Sequence, residues 1–171
     1  MSSPSKIVLT RAPLPVVAGF RWSVGEMMER FIKALAERRI LGVRCPQCGY
    51  VYVPPRWRCG RCYAPPGEEN IAELSGKGTL LSYTAAAVEI DGAGNFKELS
   101  SPKTLGAIKL EGAGSTIFMP LGEVKPGDLK VGMAVEVVWR EETKGELADI
   151  KYFKPAKGSA EILSPKAPRR R

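Results

Sequence analysis

Near the start of the chain, apolar residues recur at helical spacing. Val24, Met27, Met28, Phe31, Ile32 and Leu35 share one face, and Glu29, Lys33 and Glu37 take the opposite one, which is the period of an amphipathic helix. Ser23 is placed to cap it, with Glu26 three residues later to complete a capping box and Trp22 with Met27 as a hydrophobic staple. The helix is expected to end near Arg39, before Gly42. Its apolar stripe is expected to pack on its own domain.

Beyond Pro65-Pro66-Gly67 the pattern changes to short apolar runs between glycines, the signature of strands. Thr79–Ile90 predicts a long first strand, followed by a turn over residues 91–95. Thr104–Leu110, Ser115–Leu121, Ala134–Trp139 and Leu147–Phe153 predict four more. Five strands with a long first one and glycine-rich corners fit a small closed OB-type barrel. A different small barrel or sandwich is the structural alternative.

Between helix and strands lie the chain's four cysteines, as Cys45-Pro46-Gln47-Cys48 and Cys59-Gly60-Arg61-Cys62. Each pair can fold into a knuckle that aims two thiolates at one point. Two facing knuckles make the closed four-sulfur tetrahedron of a structural Zn2+ site, with no position left for a reactive water. Gly49 and Gly60 sit where tight turns favour small residues. The spacing between the pairs is shorter than the roughly 15–20 residues of a common zinc pattern, so the hairpin must be compact. Iron suits the same four thiolates, and a disulfide pair is the remaining alternative. Tyr50-Val51-Tyr52-Val53 reads as a strand between the knuckles, stopped by Pro54-Pro55. So short a segment buries little apolar area, and the metal must dominate its folding.

The chain is thus expected to be mainly β with an N-terminal helix. Its segments are an extended arm over 1–22, an amphipathic helix over 23–42, a zinc ribbon over 43–66, an OB barrel over 67–154 and a basic tail over 155–171. Pro13-Leu14-Pro15-Val16-Val17 in the arm suits the groove of a partner, with a loose terminus as the commoner reading of such a segment. No apolar run reaches the roughly 18 residues of a membrane helix, and no signal-peptide core opens the chain. The expected location is the cytoplasm, away from any membrane.

The formal charge of +8 is unevenly spread. Residues 154–171 carry +5 and residues 38–61 carry +6, which leaves −3 for the rest. Four thiolates around zinc remove two charges from the ribbon. Such local patches suit contact with phosphates better than a broad nucleic-acid surface. Histidine is absent. With all four cysteines on metal, neither a Cys-His nor a Ser-His nucleophile system can be assembled.

Helix, Arg44-Cys45-Pro46-Gln47-Cys48-Gly49, Pro54-Pro55-Arg56, the second cysteine pair and Ser75-Gly76-Lys77-Gly78 follow one another in a recognisable order. Over about residues 25–154 the chain resembles the DUF35 family of rubredoxin-like zinc-ribbon/OB-fold proteins, associated with acyl-CoA enzymes. Val131-Gly132-Met133-Ala134-Val135-Glu136-Val137 also fits, although that pattern is generic to small barrels. The arm before Ser23 and the basic tail exceed the family's core.

The resemblance implies a non-catalytic subunit in a hetero-oligomer with a thiolase-fold catalytic partner. That partner would supply the nucleophilic cysteine and the histidine bases, and the two chains would share a coenzyme A thioester. Arg56, Arg58, Lys77 and Lys103 are the candidate contacts to CoA phosphates, with solvated or zinc-balancing charge as the alternative use. A nucleic-acid-binding ribbon/OB protein is the rival reading. It is disfavoured because stacking aromatics on the middle strands are represented in Thr104–Leu121 by Phe118 alone. An iron electron carrier is the third.

Overall fold

In a computed structural model, which describes residues 23–91 and 93–156, the apolar stripe forms helix α1 (Glu26–Ala36) and buries Met27, Phe31, Ala34 and Leu35. Burying each of the three large side chains is worth about 1.5–3 kcal/mol. The arm over 1–22, with Trp22 and its staple, lies outside the described residues, as does the tail from 157 onward.

The cap differs from expectation. Gly25 is the N-cap, with φ of 76°, and no side chain caps the first turn. Ser23 Oγ accepts the Gly25 N–H at 3.4 Å instead, because the left-handed bend at Gly25 turns the chain away before Ser23 can reach the helical amides. The helix also stops sooner. Arg38 adopts φ of 58°, and the N–H groups of Arg38 and Arg39 return to the carbonyls of Leu35 and Ala34 at 2.9 Å each. A barrel loop fastens this end: Thr143 Oγ1 donates to the Ala36 carbonyl at 2.6 Å, and Arg38 donates to that of Glu141 at 2.9 Å.

The chain then passes directly into β1 (Ile40–Arg44), whose first three residues fall in the segment 23–42 assigned to the helix. It is the middle strand of an antiparallel sheet with β2 (Val51–Tyr52) and β3 (Ile71–Leu74). The barrel follows: β4 (Lys77–Ile90), β5 (Phe96–Leu110), β6 (Ile117–Pro120), β7 (Ala134–Trp139) and β8 (Ile150–Pro155). These strands lie in the order β6-β5-β4-β7-β8. A parallel bridge from Leu121 to Phe153 joins the two ends, helped by the Gly122 N–H on the Phe153 carbonyl at 2.9 Å. The fold is therefore mainly β, a ribbon followed by an OB-type barrel.

Two glycines explain the Gly-x-Gly entry to the barrel. Gly76 needs its φ of 73°, and a Cβ there would stand 2.5 Å from Val137 Cγ1. A Cβ on Gly78 would stand 2.6 Å from the Lys109 carbonyl oxygen, so only glycine lets β4 and β5 approach.

β5 is longer than expected. Its first half, Phe96–Lys103, pairs with the outer part of β4, with Ala86 opposite Lys103 and Val88 opposite Glu98. Residues 99–102 bulge out against Ala87 alone. β4 contacts β7 only over Lys77–Thr79, so the outer hairpin stands clear of the barrel.

Helix α1 joins two cores. Phe31 and Leu35 pack with Leu80, Ile108, Val135 and Phe153 in the barrel, while Met27 packs with Val43, Tyr52 and Cys59 in the ribbon. The seam between ribbon and barrel is hydrogen-bonded as well. Ser115 Oγ accepts the Val53 N–H at 2.7 Å and donates to its carbonyl at 3.1 Å, and the N–H of Gly114 reaches the Val51 carbonyl at 2.8 Å. Among the described residues, no helix is long and apolar enough to cross a membrane.

Candidate metal centre

The end of β1 delivers Cys45 into the first knuckle, and the Cys45 N–H is held by the Tyr50 carbonyl at 2.8 Å. Gly49 closes the turn with its N–H on the Cys45 carbonyl at 3.0 Å and φ of 71°. The second knuckle repeats this arrangement. The Cys59 N–H meets the Ala64 carbonyl, and Tyr63 closes the turn on the Cys59 carbonyl, both at 3.0 Å. Here the left-handed residue is Tyr63, with φ of 61°. The turn therefore does not depend on Gly60, whose N–H is used by the Tyr52 hydroxyl at 2.9 Å.

All four Sγ atoms lie within 4.8 Å of one another. Cys45 and Cys62 are 3.4 Å apart, and Cys48 and Cys59 are 3.6 Å apart. Zinc–sulfur bonds of about 2.3 Å in a tetrahedron require edges of roughly 3.8 Å, so the donor set fits the ion. The separations also exceed a disulfide bond of about 2.05 Å.

The electrostatics make the same demand. The Tyr52 hydroxyl, with the Arg61 and Cys62 amides, outweighs desolvation and holds the Cys59 thiol down to about 5. The Ala64 amide favours a thiolate at Cys62. Desolvation and the neighbouring thiols Cys45, Cys59 and Cys48 outweigh it and push Cys62 up to about 12. Four crowded sulfurs cannot all ionise without a cation among them, and a bound Zn2+ would supply that charge.

A layer of aromatic rings and guanidinium groups surrounds the sulfurs. Tyr50 and Tyr52 have ring centroids 4.7 Å apart. Arg56 lies 4.6 Å over the Tyr52 ring and Arg61 lies 5.1 Å over that of Tyr50. Sequence reading missed Tyr52 as a partner of the sulfurs. The available signal was Tyr-x-Tyr on a strand beside the knuckle, which puts both rings on one face.

The four candidate phosphate contacts are not brought to one place. Arg56 and Arg58 belong to the ribbon, where Arg58 donates to the Tyr63 carbonyl at 3.5 Å. Lys77 opens β4, opposite Glu136. Lys103 is paired with Glu89 at 3.1 Å and borders a cleft of about 410 Å³ with Ser101, Thr104 and Leu121. Its partner Ala86 is nine residues along β4 from Lys77, which at about 3.3 Å per residue is roughly 30 Å.

Comparison with known proteins agrees with both halves of the fold. Residues 33–66 match the family model for the ChsH2 rubredoxin-like zinc ribbon domain, and residues 72–140 match that for the ChsH2 C-terminal OB-fold domain. A DUF35 domain-containing scaffold protein of Methanocaldococcus jannaschii is 36% identical over 135 residues, covering 76% of this chain and 92% of that protein. One from Methanothermobacter thermautotrophicus is 31% identical, covering 68% and 86%. Among solved structures, the Ltp2-ChsH2(DUF35) aldolase aligns with a TM-score of 0.56 at 22% identity, covering 79% of this chain and 98% of that one. A DUF35-family protein of Sulfolobus solfataricus aligns with the same score and identity, covering 77% and 87%. With the cysteine knuckles, the ribbon sheet and the barrel all in place, the chain belongs to the DUF35 family.

Proposed function

We propose that this chain is a non-catalytic subunit of a thiolase-type acyl-CoA complex. It docks on the thiolase-fold enzyme, borders its CoA channel and holds the assembly together in the cytoplasm. The observation that carries the reading is the relationship to the Methanocaldococcus scaffold protein over nearly its whole length. The chemistry of the chain supports it. Histidine is absent and the four thiols converge on one another, so an acyl-transfer nucleophile and its base must come from the partner.

Arg56 and Arg58 on the ribbon, with Lys77 and Lys103 on the barrel, are proposed to meet CoA phosphates by charge-assisted hydrogen bonds. Their separation means that they would serve different phosphates or different CoA molecules. The rival nucleic-acid reading lacks a cation where it needs one. The groove that holds Tyr83 and the exposed Phe118 is lined otherwise by Ser82, Thr84, Leu105 and Ala107.

The test is co-expression of the full chain with a thiolase-fold acyltransferase from the same genome, followed by gel filtration and CoA titration. A shared peak that binds CoA more tightly than either protein alone is expected. Separate peaks, with no CoA binding by the mixture, overturn the proposal.

A further inference from the structure

The two cysteine knuckles close differently. After its second cysteine the first has Gly49, with φ of 71°, where the second has Tyr63, with φ of 61°. Glycine takes a left-handed backbone freely and a bulky residue is strained by it, so the turn itself does not ask for a tyrosine. Strain of this kind marks a side chain held in place for something else. The core is not its use, because Tyr63 is 78% exposed. Trp57, in the loop that leads into the same knuckle, is 45% exposed. Arg56, Arg58 and Arg61 are interleaved with these rings, all of them exposed. Arg58 donates to the Tyr63 carbonyl, and a Cβ on Gly60 would stand 3.3 Å from Arg56 Nη1, so both guanidinium groups gather at the knuckle.

These cations lack acids of their own. The salt bridges of the described residues engage Arg30 and Arg39 with two glutamates each and none of the three arginines at the knuckle. Residues 43–66 hold four arginines and no acid, and a Zn2+ among four thiolates would still leave them at +2. Tryptophan, tyrosine and arginine are the residues that anchor protein interfaces. We propose that the second knuckle is a docking face for a folded protein surface, one whose carboxylates ring a recess that takes the Tyr63 and Trp57 side chains. This rests on the reading above, in which that surface belongs to the thiolase-fold subunit, and Arg56 and Arg58 then stand where partner and CoA meet. A polyanion fits less well. Glu68 and Glu69 follow the knuckle, and α1, whose Met27 packs on Cys59, carries Glu26 and Glu29. A long phosphate chain leaving the face therefore runs onto like charges.

Affinity between the full zinc-loaded chain and a thiolase-fold acyltransferase from the same genome, measured by calorimetry without CoA, tests this. Tyr63→Gly is expected to weaken binding at least tenfold, with zinc content and urea midpoint no lower than in the parent chain. Arg61→Glu is expected to weaken it as well and to flatten its dependence on salt. A parent chain that does not bind the acyltransferase overturns both this inference and the reading beneath it. Binding unchanged by Tyr63→Gly overturns this inference alone. A lower zinc content or midpoint in that variant gives Tyr63 a structural role and overturns it too. So does a single-stranded oligonucleotide that binds the free chain and is lost with Tyr63→Gly, since nucleic acid is then the occupant.

Discussion

Tyr52 and Cys59 meet inside the ribbon, with the phenol oxygen 3.5 Å from Sγ. The same oxygen accepts the Gly60 N–H, which leaves its own proton for the sulfur. The pair shifts both groups: Cys59 is held low by the hydroxyl, and the Tyr52 phenol is raised by the sulfur. Tyr52→Phe keeps the ring against Tyr50 and Arg56 and removes that one donor. Zinc affinity, measured by chelator competition, is expected to fall about tenfold, the lower end of the range for groups that support metal ligands. Unchanged affinity would show that the hydroxyl does not act on the metal site.

The approach of β4 to β5 at Gly78 gives a sharper stability test. Gly78→Ala sets a methyl group against the Lys109 carbonyl, which is backbone and cannot swing aside. A loss of about 1–3 kcal/mol in urea unfolding is expected, as for other overpacked sites. Gly127→Ala is the control. A Cβ there meets nothing within 4 Å, and that change is expected to be neutral or slightly stabilising.

Asp149 carries a pH dependence. It is 2% exposed, and its carboxylate accepts the backbone N–H groups of Lys144, Gly145 and Glu146 at 3.0, 2.7 and 2.9 Å. Burial pushes its pKa up, but the three donors overcome that and hold it below the ordinary 3.8. The unfolded chain then binds the proton more readily. The stabilisation is fully present above about pH 5 and is lost as pH falls through the folded value. Asp149→Asn is expected to cost about 1–3 kcal/mol at pH 7, with the gap from the parent chain shrinking below pH 4. A gap that is constant with pH would contradict this.

Much of the fold was legible because its signals are local. Ala134–Trp139 is a short, mostly apolar run rich in valine that follows Val131-Gly132, and it forms β7 with those ends. The cysteine pairs carry their own geometry. What was not legible depends on distant partners. Ile40–Gly42 falls in the segment assigned to the helix, and it becomes a strand because Ile71–Leu74, some thirty residues later, pairs with it. Phe96–Lys103 contains Ser100-Ser101-Pro102 and lacks alternation, and it becomes a strand because the hairpin holds it against β4 and the bulge absorbs the extra residues. The cap at Ser23 failed through one backbone angle, at Gly25. Of the candidate site, the sulfurs were legible and their aromatic supports were not.

The most direct test of the account is hydrogen exchange in the ribbon, followed as bound metal is stripped by a chelator. One zinc per chain is expected, with the amides of Cys45, Gly49 and Cys59 protected while it is bound. Zinc binding to small ribbons is worth roughly 10–16 kcal/mol, so removing it should open these amides to solvent exchange. A chain purified without metal, with the same amides still protected, would contradict the claim that the ion builds the ribbon.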